Sequence, residues 1–426
     1  MTSKPDIFDT QRKPELPKKY LLPVEWVGAF FLLLPVGGRV TKVSCEGLEP
    51  PYLLLQNHAS FVDFAMAARA MYPNSSGWVI SIEEFIGREW LLRGIGGIYK
   101  RKFTADLTVV KHILTMLTKM NCSVTMFPEA RYSLAGVNEQ IDGALGKLAK
   151  KAKCPVVVYI QHGNFLRSPQ WCKRPYRKVP VCGEFRQVVT REEAQTLSAA
   201  EIQRRIEDAF HYDDYQWQYD NHIEITSPYR AHNIHRILYQ CPHCGKEFMM
   251  NSDRTQLWCE HCGARWEMDT LGRLHCLNAE ERFRHVPDWY RWERENVRQE
   301  VAEGRYAFED TVRLERIVSA KTGFETLGTV KLTHGVDGFR MEGTLESGEP
   351  FTFHRSTASM MSCHIEYDFK GRGDAIDLAT LHDTYFVFPL TAHNVLTKLH
   401  FATEELHKAQ HAQQAHKMYK EENGGT

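Results

Sequence analysis

Between residues 40 and about 165, short apolar runs alternate with longer amphipathic stretches, and this alternation restricts the possible folds more than any other feature. Strands are predicted at 40–45, 52–55, 77–82, 123–127, 155–160 and 179–183. Helices are predicted at 61–72, 104–120, 141–153 and 191–210. Strands that alternate with helices indicate an α/β domain in which helices flank a mixed sheet.

A histidine and an aspartate, five residues apart, follow the second predicted strand. His58 stands at the predicted turn between strand and helix, and Asp63 stands one turn into the helix, within reach of the imidazole. A carboxylate on one ring nitrogen fixes the tautomer and raises the basicity of the other nitrogen, as a general base requires. His58 and Asp63 are therefore the candidate catalytic pair.

Three further segments follow this pair in order. They are Gly-Ile-Gly-Gly-Ile-Tyr-Lys-Arg-Lys at 94–102, Phe-Pro-Glu-Ala-Arg at 127–131, and the Pro-flanked apolar strand at 154–160. Together with Asn-His-x-x-x-x-Asp at 57–63, they resemble the sequence blocks of the glycerolipid (1-acyl-glycerol-3-phosphate) acyltransferase family. The resemblance implies transfer of a fatty acyl group from an acyl thioester, either acyl-CoA or acyl-carrier protein, to a lysophospholipid hydroxyl. The expected reaction converts lysophosphatidic acid to phosphatidic acid.

The resemblance also assigns roles to single residues. His58 would accept the proton of the acceptor hydroxyl, and Asp63 would hold the imidazole. Arg101 and Arg131 would bind the acceptor phosphate, because guanidinium groups make bidentate hydrogen bonds to phosphate. Glu129 would hold an acceptor hydroxyl or orient Arg131, and the alternative for it is a structural ion pair.

The chain departs from the family pattern at two positions. Ala130 replaces the usual glycine of the third block, and Lys100 stands where a small acid often precedes the arginine of the second block. Lys100 and Lys102 would replace Arg101 as phosphate ligands if the register differs, whereas a solvated turn is the structural alternative for these cations. These departures affect the acceptor pocket more than the acyl-transfer pair.

Two Cys-x-x-Cys pairs lie beyond the α/β region. They are Cys241 with Cys244 and Cys259 with Cys262, each followed by glycine and separated from each other by a short segment. Four thiolates at this spacing are typical of a zinc ribbon, so we expect a structural Zn²⁺. A structural or docking role is favoured over nucleic-acid binding or thiol redox chemistry.

The last third of the chain changes to strand-like runs separated by Gly, Asp and Glu turns. The predicted strands are 308–314, 325–332, 338–341, 350–353, 365–369 and 384–388, between a helix ending near 302 and a helix at 392–415. Strands followed by one helix look like a pleckstrin-homology-like module, whose relatives bind lipid headgroups or proteins. We therefore expect three domains: 1–220 with an N-terminal membrane-associating segment, 235–275 as the ribbon, and 285–420 as the β-rich domain.

Charge and hydropathy constrain the partners. The formal net charge is +0, which disfavours bulk binding to nucleic acid. The apolar stretch 26–36 is too short for a membrane span, which needs about 20 residues, so it is either a core helix or an element that dips into one leaflet. A basic segment is either a solvated face or a contact with an anionic membrane, and it contains Arg167, Lys173, Arg174, Arg177 and Lys178.

No signal peptide is visible in the polar first 20 residues, so we expect a cytoplasmic protein, peripheral on the inner face of the cell membrane. Two rival functions remain open. One is a catalytically weak or inactive lipid-binding scaffold that recruits a protein partner through the ribbon and the C-terminal domain. The other is nucleic-acid binding through the ribbon, against which the zero net charge weighs.

Overall fold

The computed structural model describes residues 8–172, 174 and 176–423, with side chains described up to residue 414. Lys173 of the predicted basic segment and the first seven residues of the polar N-terminal stretch lie outside the described residues. Three units follow one another along the chain, and each has its own sheet.

The N-terminal unit is a seven-stranded sheet covered by helices, with strand order β1-β7-β6-β2-β5-β3-β4. Strands β1 and β7 are parallel to each other and antiparallel to the rest, so the predicted mixed sheet is confirmed. The elements in chain order are α1 Leu22–Leu33, β1 Arg39–Val43, β2 Leu53–Gln56, α2 Val62–Met71, β3 Ser76–Ser81, α3 Glu89–Gly94, β4 Gly97–Lys100, α4 Leu107–Thr118, β5 Ser123–Met126, α5 Leu145–Ala152, β6 Val156–His162, α6 Asn164–Arg167, β7 Cys182–Val189, α7 Arg191–Thr196, α8 Ala199–Ala209 and α9 Asp214–Asp220.

The central strands of this sheet are buried on both faces. Leu53 and Leu55 pack into one apolar layer with the helices α4, α5 and α8, whereas Leu54 packs into the opposite layer with α1 and α2. Side chains alternate between faces along a strand, so a continuous apolar run is required where both faces are covered. This explains why β2 and β6 were recognisable in the sequence.

Two local predictions were wrong. The glycine-rich segment before Arg101 is not a turn throughout, since Gly97–Lys100 forms the edge strand β4 beside β3. Glycine has a low strand propensity, which hid this strand. The single helix predicted at 191–210 is two helices, because Ser198 interrupts it and caps α8 by accepting a hydrogen bond from the Glu201 N–H at 3.1 Å.

Helix α1 buries one side against α2 and exposes apolar side chains on the other. Ala29 and Leu33 are buried, while Val27, Phe30 and Phe31 are more than half exposed. Among the described residues, no helix has both the length and the apolar character that crossing a bilayer requires.

The second unit is a small antiparallel sheet with strand order β11-β10-β9-β8. Its strands are β8 Met250–Asp253, β9 Gln256–Cys259, β10 Arg265–Met268 and β11 Leu274–Cys276. Trp266 of β10 is fully buried, with its ring centroid 5.0 Å from that of Trp289. The second unit therefore packs against the helix that opens the third unit.

The third unit is an antiparallel sheet with strand order β15-β14-β13-β12-β18-β17-β16 and a helix at each end of its sequence. Its elements are α10 Val286–Ala302, β12 Phe308–Ser319, β13 Gly323–Gly335, β14 Gly338–Thr344, β15 Pro350–Arg355, β16 His364–Glu366, β17 Ala375–Ala379, β18 Thr384–Pro389 and α11 Leu396–Asn423. The predicted β-rich region is present, but β17 was missed and the strands do not form one simple meander, because β12 pairs with β18.

The first and third units share an apolar cluster. Phe85 and Tyr99 of the first unit pack with Phe369 and Phe386 of the third. The third unit is therefore packed directly on the strand β3–β4 side of the first.

Candidate active site

The loop between β2 and α2 brings His58 and Asp63 together as the sequence predicted. His58 Nδ1 lies 2.8 Å from Asp63 Oδ2. The same carboxylate oxygen accepts hydrogen bonds from the backbone N–H groups of Ala59, at 2.6 Å, and Ser60, at 2.9 Å. Asp63 is fully buried, and the His58 side chain is 21 % exposed. With Nδ1 held by the carboxylate, Nε2 is the ring nitrogen that remains for proton transfer.

A buried amide network that the sequence analysis missed supports Asp63 from the other side. Asn164 Nδ2 donates to Asp63 Oδ1 at 2.6 Å and to Gln161 Oε1 at 2.8 Å. The Asn57 side chain forms two hydrogen bonds, both 2.8 Å long, with the backbone of Gln161. Because β2 and β6 are parallel neighbours, these residues meet at one edge of the sheet. The sequence feature that could have revealed this network is the set of polar residues at and after the ends of the apolar strands β2 and β6.

His58 lines a cavity of about 390 Å³. The imidazole stacks on Phe127, with ring centroids 3.8 Å apart, and contacts Tyr132 at 4.2 Å. Much of the remaining wall is apolar and comes from the helices α1, α2 and α3 and the strand β3, including Leu21, Val24, Phe64, Trp78, Leu92 and Ile95. The cavity therefore places the His58 imidazole beside a large apolar surface, which suits an acyl chain.

The end of β4 and the turn after it supply the cations near this cavity. Lys100 and Lys102 line it, whereas Arg101 is not among the described lining residues. Arg101 is buried, and its guanidinium donates to the Leu381 carbonyl of the third unit at 3.3 Å. Lys102 forms an ion pair with Glu83 and lies 3.9 Å from Asp377. Burial opposes the charge on Lys102, but these carboxylates outweigh burial and raise its pKa.

Arg131 lines the cavity, but carboxylates already surround its guanidinium. It lies 2.9 Å from Glu404 and 3.6 Å from Glu139, and it donates to the Ser362 hydroxyl at 2.7 Å. Burial lowers and these carboxylates raise the pKa of Arg131, with a net increase. Ala130, the residue that replaces the family glycine, has φ +55° and also lines the cavity.

Glu129 is fully buried and is not among the described residues that line the cavity. Its carboxyl group accepts hydrogen bonds from the Glu139 N–H at 2.8 Å and from the Tyr212 hydroxyl at 3.0 Å. Burial raises the pKa of Glu129 to about 8. These contacts stabilise the loop after β5, and they are not the ion pair that the sequence analysis offered as the structural alternative.

The third unit completes the cavity, which the sequence did not predict. His364 and Glu366 of β16 are lining residues, and His364 Nε2 lies 2.8 Å from Glu366 Oε1. Gln170 of the first unit donates to Glu366 Oε2 at 2.9 Å. Burial would raise the pKa of Glu366, but the contacts with His364 and Lys102 outweigh it and lower that pKa to about 2.

The four ribbon cysteines lie close together. All four sulfurs lie within 4.8 Å of one another, and Sγ–Sγ distances are 3.7 Å for Cys241–Cys262 and 3.8 Å for Cys244–Cys259. Four sulfurs bound to a tetrahedral zinc at about 2.3 Å lie about 3.8 Å apart, so the residues fit the metal. Glycines 245 and 263 follow the pairs with φ +74° and +75°, a conformation that glycine adopts without strain.

The predicted basic segment does not form one exposed face. Arg177 is buried, and its guanidinium donates to the carbonyls of Leu166 at 3.3 Å and Arg230 at 3.1 Å. Arg177 therefore stabilises the fold and does not belong to a solvated or membrane-binding face, whereas Arg174 and Lys178 of the same segment are exposed.

Comparison with known proteins identifies the part of the chain that contains this site. Residues 39–160 match the model of the family described as Acyltransferase, so the chain contains an acyltransferase domain that includes His58 and Asp63. The solved structure of the 1-acyl-sn-glycerophosphate acyltransferase of Thermotoga maritima is similar at 17% identity and a TM-score of 0.36, over 45% of this chain and 78% of that chain. The search of curated proteins found no match.

Proposed function

We propose that this protein transfers a fatty acyl group from an acyl thioester to the hydroxyl of a lysolipid, with His58 as the general base. The observation that carries the proposal is the His58–Asp63 pair, held at 2.8 Å, in a largely apolar cavity of the acyltransferase domain. Acyl-CoA and acyl-carrier protein are both chemically suitable donors.

In this mechanism, His58 Nε2 takes the proton of the acceptor hydroxyl as that oxygen attacks the thioester carbonyl. The new ester C–O bond forms, the C–S bond breaks, and the thiolate leaves with the proton that the imidazolium returns. Asp63 stabilises the imidazolium and fixes its orientation, as a carboxylate does in other histidine–carboxylate pairs. The reaction needs no covalent acyl-enzyme.

We propose that the lipid substrates enter from a membrane surface on which α1 lies. Phe30 and Phe31 are 56% and 64% exposed, and Leu21 and Val24, at the start of the same helix, line the cavity. Exposed apolar and aromatic side chains of this kind favour insertion at the boundary between headgroups and acyl chains. This arrangement supports the interpretation of the 26–36 stretch as a monotopic element.

The acceptor predicted from the sequence blocks is lysophosphatidic acid, with Arg101 and Arg131 as phosphate ligands and Glu129 beside them. The contacts of these three residues give that assignment little support, since each has partners inside the protein. Lys100, the last residue of β4, and Lys102, in the turn after it, are the lysines that line the cavity.

We propose Zn²⁺ as a structural metal bound by Cys241, Cys244, Cys259 and Cys262, which would stabilise the ribbon next to α10. The domain bounds 1–220, 235–275 and 285–420 stay a proposal. Seven antiparallel strands followed by one long helix support a pleckstrin-homology-like fold for the last domain. An inactive lipid-binding scaffold is the second candidate function, and the ion pairs of Arg131 with Glu139 and Glu404 favour it.

The test is an acylation assay with radiolabelled acyl-CoA and with acyl-carrier protein, each offered lysophosphatidic acid and 1-monoacylglycerol as acceptors. The His58→Ala variant should lose about 10²- to 10⁴-fold in rate, because a positioned general base contributes that much. His211→Ala is the matched control, since His211 is exposed and contacts Asn138, away from Asp63. If the His58→Ala variant retains turnover, or if no pair of substrates gives a product, the proposed acyl-transfer mechanism is excluded. Vesicle binding without turnover would then favour the scaffold.

A further inference from the structure

The third unit forms part of the cavity that contains His58. Glu366 and His364 of β16 lie on its wall, although they are about 300 residues from the catalytic pair in sequence. Gln170 of the first unit fixes this strand, because its amide donates to the Ile365 carbonyl at 3.3 Å and to Glu366 at 2.9 Å. An acceptor bound beside His58 therefore meets the C-terminal domain.

The contact between the two units is extensive and buried. Arg131 joins them through Ser362 and Glu404, and the Phe85–Phe386 cluster joins them through apolar packing. Buried ion pairs of this kind hold one geometry, because separating them leaves uncompensated charges. The part of the cavity wall formed by His364 and Glu366 of β16, here called the β16 wall, is thus fixed in position.

Three of the cations that line the cavity are paired with carboxylates. Lys102 is paired with Glu83, Arg88 with Glu84, and Arg131 with Glu404. In the described part of the chain, Lys100 is the lining cation without a carboxylate ion pair, and its ammonium donates to the Thr104 carbonyl. A phosphate monoester carries close to two negative charges and needs free guanidinium or ammonium groups.

Glu366 adds negative charge to this wall. Its carboxylate accepts hydrogen bonds from the Gln170 amide and from His364, and the neighbouring Lys102 is itself paired with Glu83. Burial is the main cause of the lowered pKa of His364.

We infer that the β16 wall selects a lysolipid acceptor whose headgroup presents hydroxyl groups and no phosphate monoester, and that Glu366 is the specificity-determining residue. The acceptor hydroxyls would donate to the wall, whereas a phosphate would face an ionised carboxylate in a largely apolar cavity, where like charges repel more strongly than in water. This inference rests on the proposed function for the acyl-transfer step, but its statement about acceptor binding does not depend on turnover.

The test compares two soluble acceptors that differ only in the phosphate, 1-hexanoyl-glycerol and 1-hexanoyl-glycerol 3-phosphate. Calorimetric titration of the full chain should give about tenfold or greater preference for the uncharged acceptor, since an unfavourable charge contact costs at least that much. The Glu366→Gln variant should bind the phosphate ester more tightly, which would reduce the ratio of the dissociation constants of the two acceptors. Glu349→Gln, at an exposed position of the same unit, should leave the ratio unchanged.

Equal or tighter binding of the phosphate ester to the unmodified protein would overturn the inference, as would binding of neither acceptor. A Glu366→Gln variant that folds and leaves this ratio unchanged would also overturn the inference. The comparison on the unmodified protein decides the matter even if the variant does not fold. Acylation rates separate the two proposals: preferred acylation of the phosphate ester refutes the inference alone, and selective binding without acylation refutes the proposed function alone.

Discussion

Replacement of Asn164 by leucine tests whether the buried amide network serves the proposed base. Asn164 is 1% exposed, and its amide donates to Asp63 Oδ1 at 2.6 Å. Leucine has a similar size but no donor, so one oxygen of a buried carboxylate would lose its partner. A hydrogen bond to a charged group contributes about 1.5–3 kcal/mol. At about 1.4 kcal/mol for each factor of ten, the expected loss is about 10- to 150-fold.

The loss should appear in kcat, because the contact orients the carboxylate that stabilises the imidazolium formed during reaction. KM should change less than about threefold, since Asn164 is not among the described residues that line the cavity. The assay is a steady-state titration of both substrates, with the melting temperature measured in parallel. Asn296→Leu is the matched control, because it removes an amide contact of 2.7 Å with Gln240 far along the chain from the site. A kcat within about threefold of the unmodified protein, with a lowered melting temperature, would refute the reasoning.

Three further outcomes are expected. Glu404→Gln should lower the free energy of unfolding by about 3–5 kcal/mol, because Arg131 and Arg294 would lose a shared buried partner. Urea denaturation measures this loss. An equal effect of Glu309→Gln, which removes an exposed ion pair, would contradict the prediction. Burial raises the pKa of Glu25 to about 7 from 4.5, so its contribution to stability is full below pH 4.5 and is lost as pH rises through 7. As pH rises from 4.5 to 7, the stability of the Glu25→Gln variant should therefore increase by up to about 3 kcal/mol relative to the unmodified protein. A difference in melting temperature between the two proteins that does not change with pH would contradict the prediction. Mass spectrometry of the purified protein should show about one zinc per chain, and chelation of the metal should unfold the ribbon. Purified protein with reduced cysteines and no bound metal would contradict the proposed zinc site.

The contact between His58 and Asp63 was predictable because its geometry is local. His58 and Asp63 are joined by five residues, and the end of an apolar strand followed by an amphipathic helix determines how those residues turn. The cysteine pairs were predictable for the same reason, since each pair lies on one tight turn. Asn164 was missed because it reaches Asp63 only through the pairing of β6 with β2, which no local pattern specifies.

Arg101 illustrates why contacts between units are harder to predict than a contact within one loop. Its place in the sequence block favoured a phosphate contact, but Arg101 and Lys102 follow the end of β4 at Lys100. The Arg101 guanidinium contacts the Leu381 carbonyl of the third unit, while Lys100 and Lys102 line the cavity. No local pattern specifies this arrangement, because Leu381 belongs to another unit.

The amino-acid sequence alone predicts the α/β class of the first unit, the position of the His58–Asp63 pair and the grouping of the four cysteines. Hydrophobic periodicity and short spacings encode these features within a few residues. What surrounds the pair depends on folding: the amide that holds Asp63, the carboxylates that engage Arg131, and the Glu366 wall. Apart from the contact between Arg131 and Glu139, each of these requires contacts between segments more than 100 residues apart, which form only when the chain has folded.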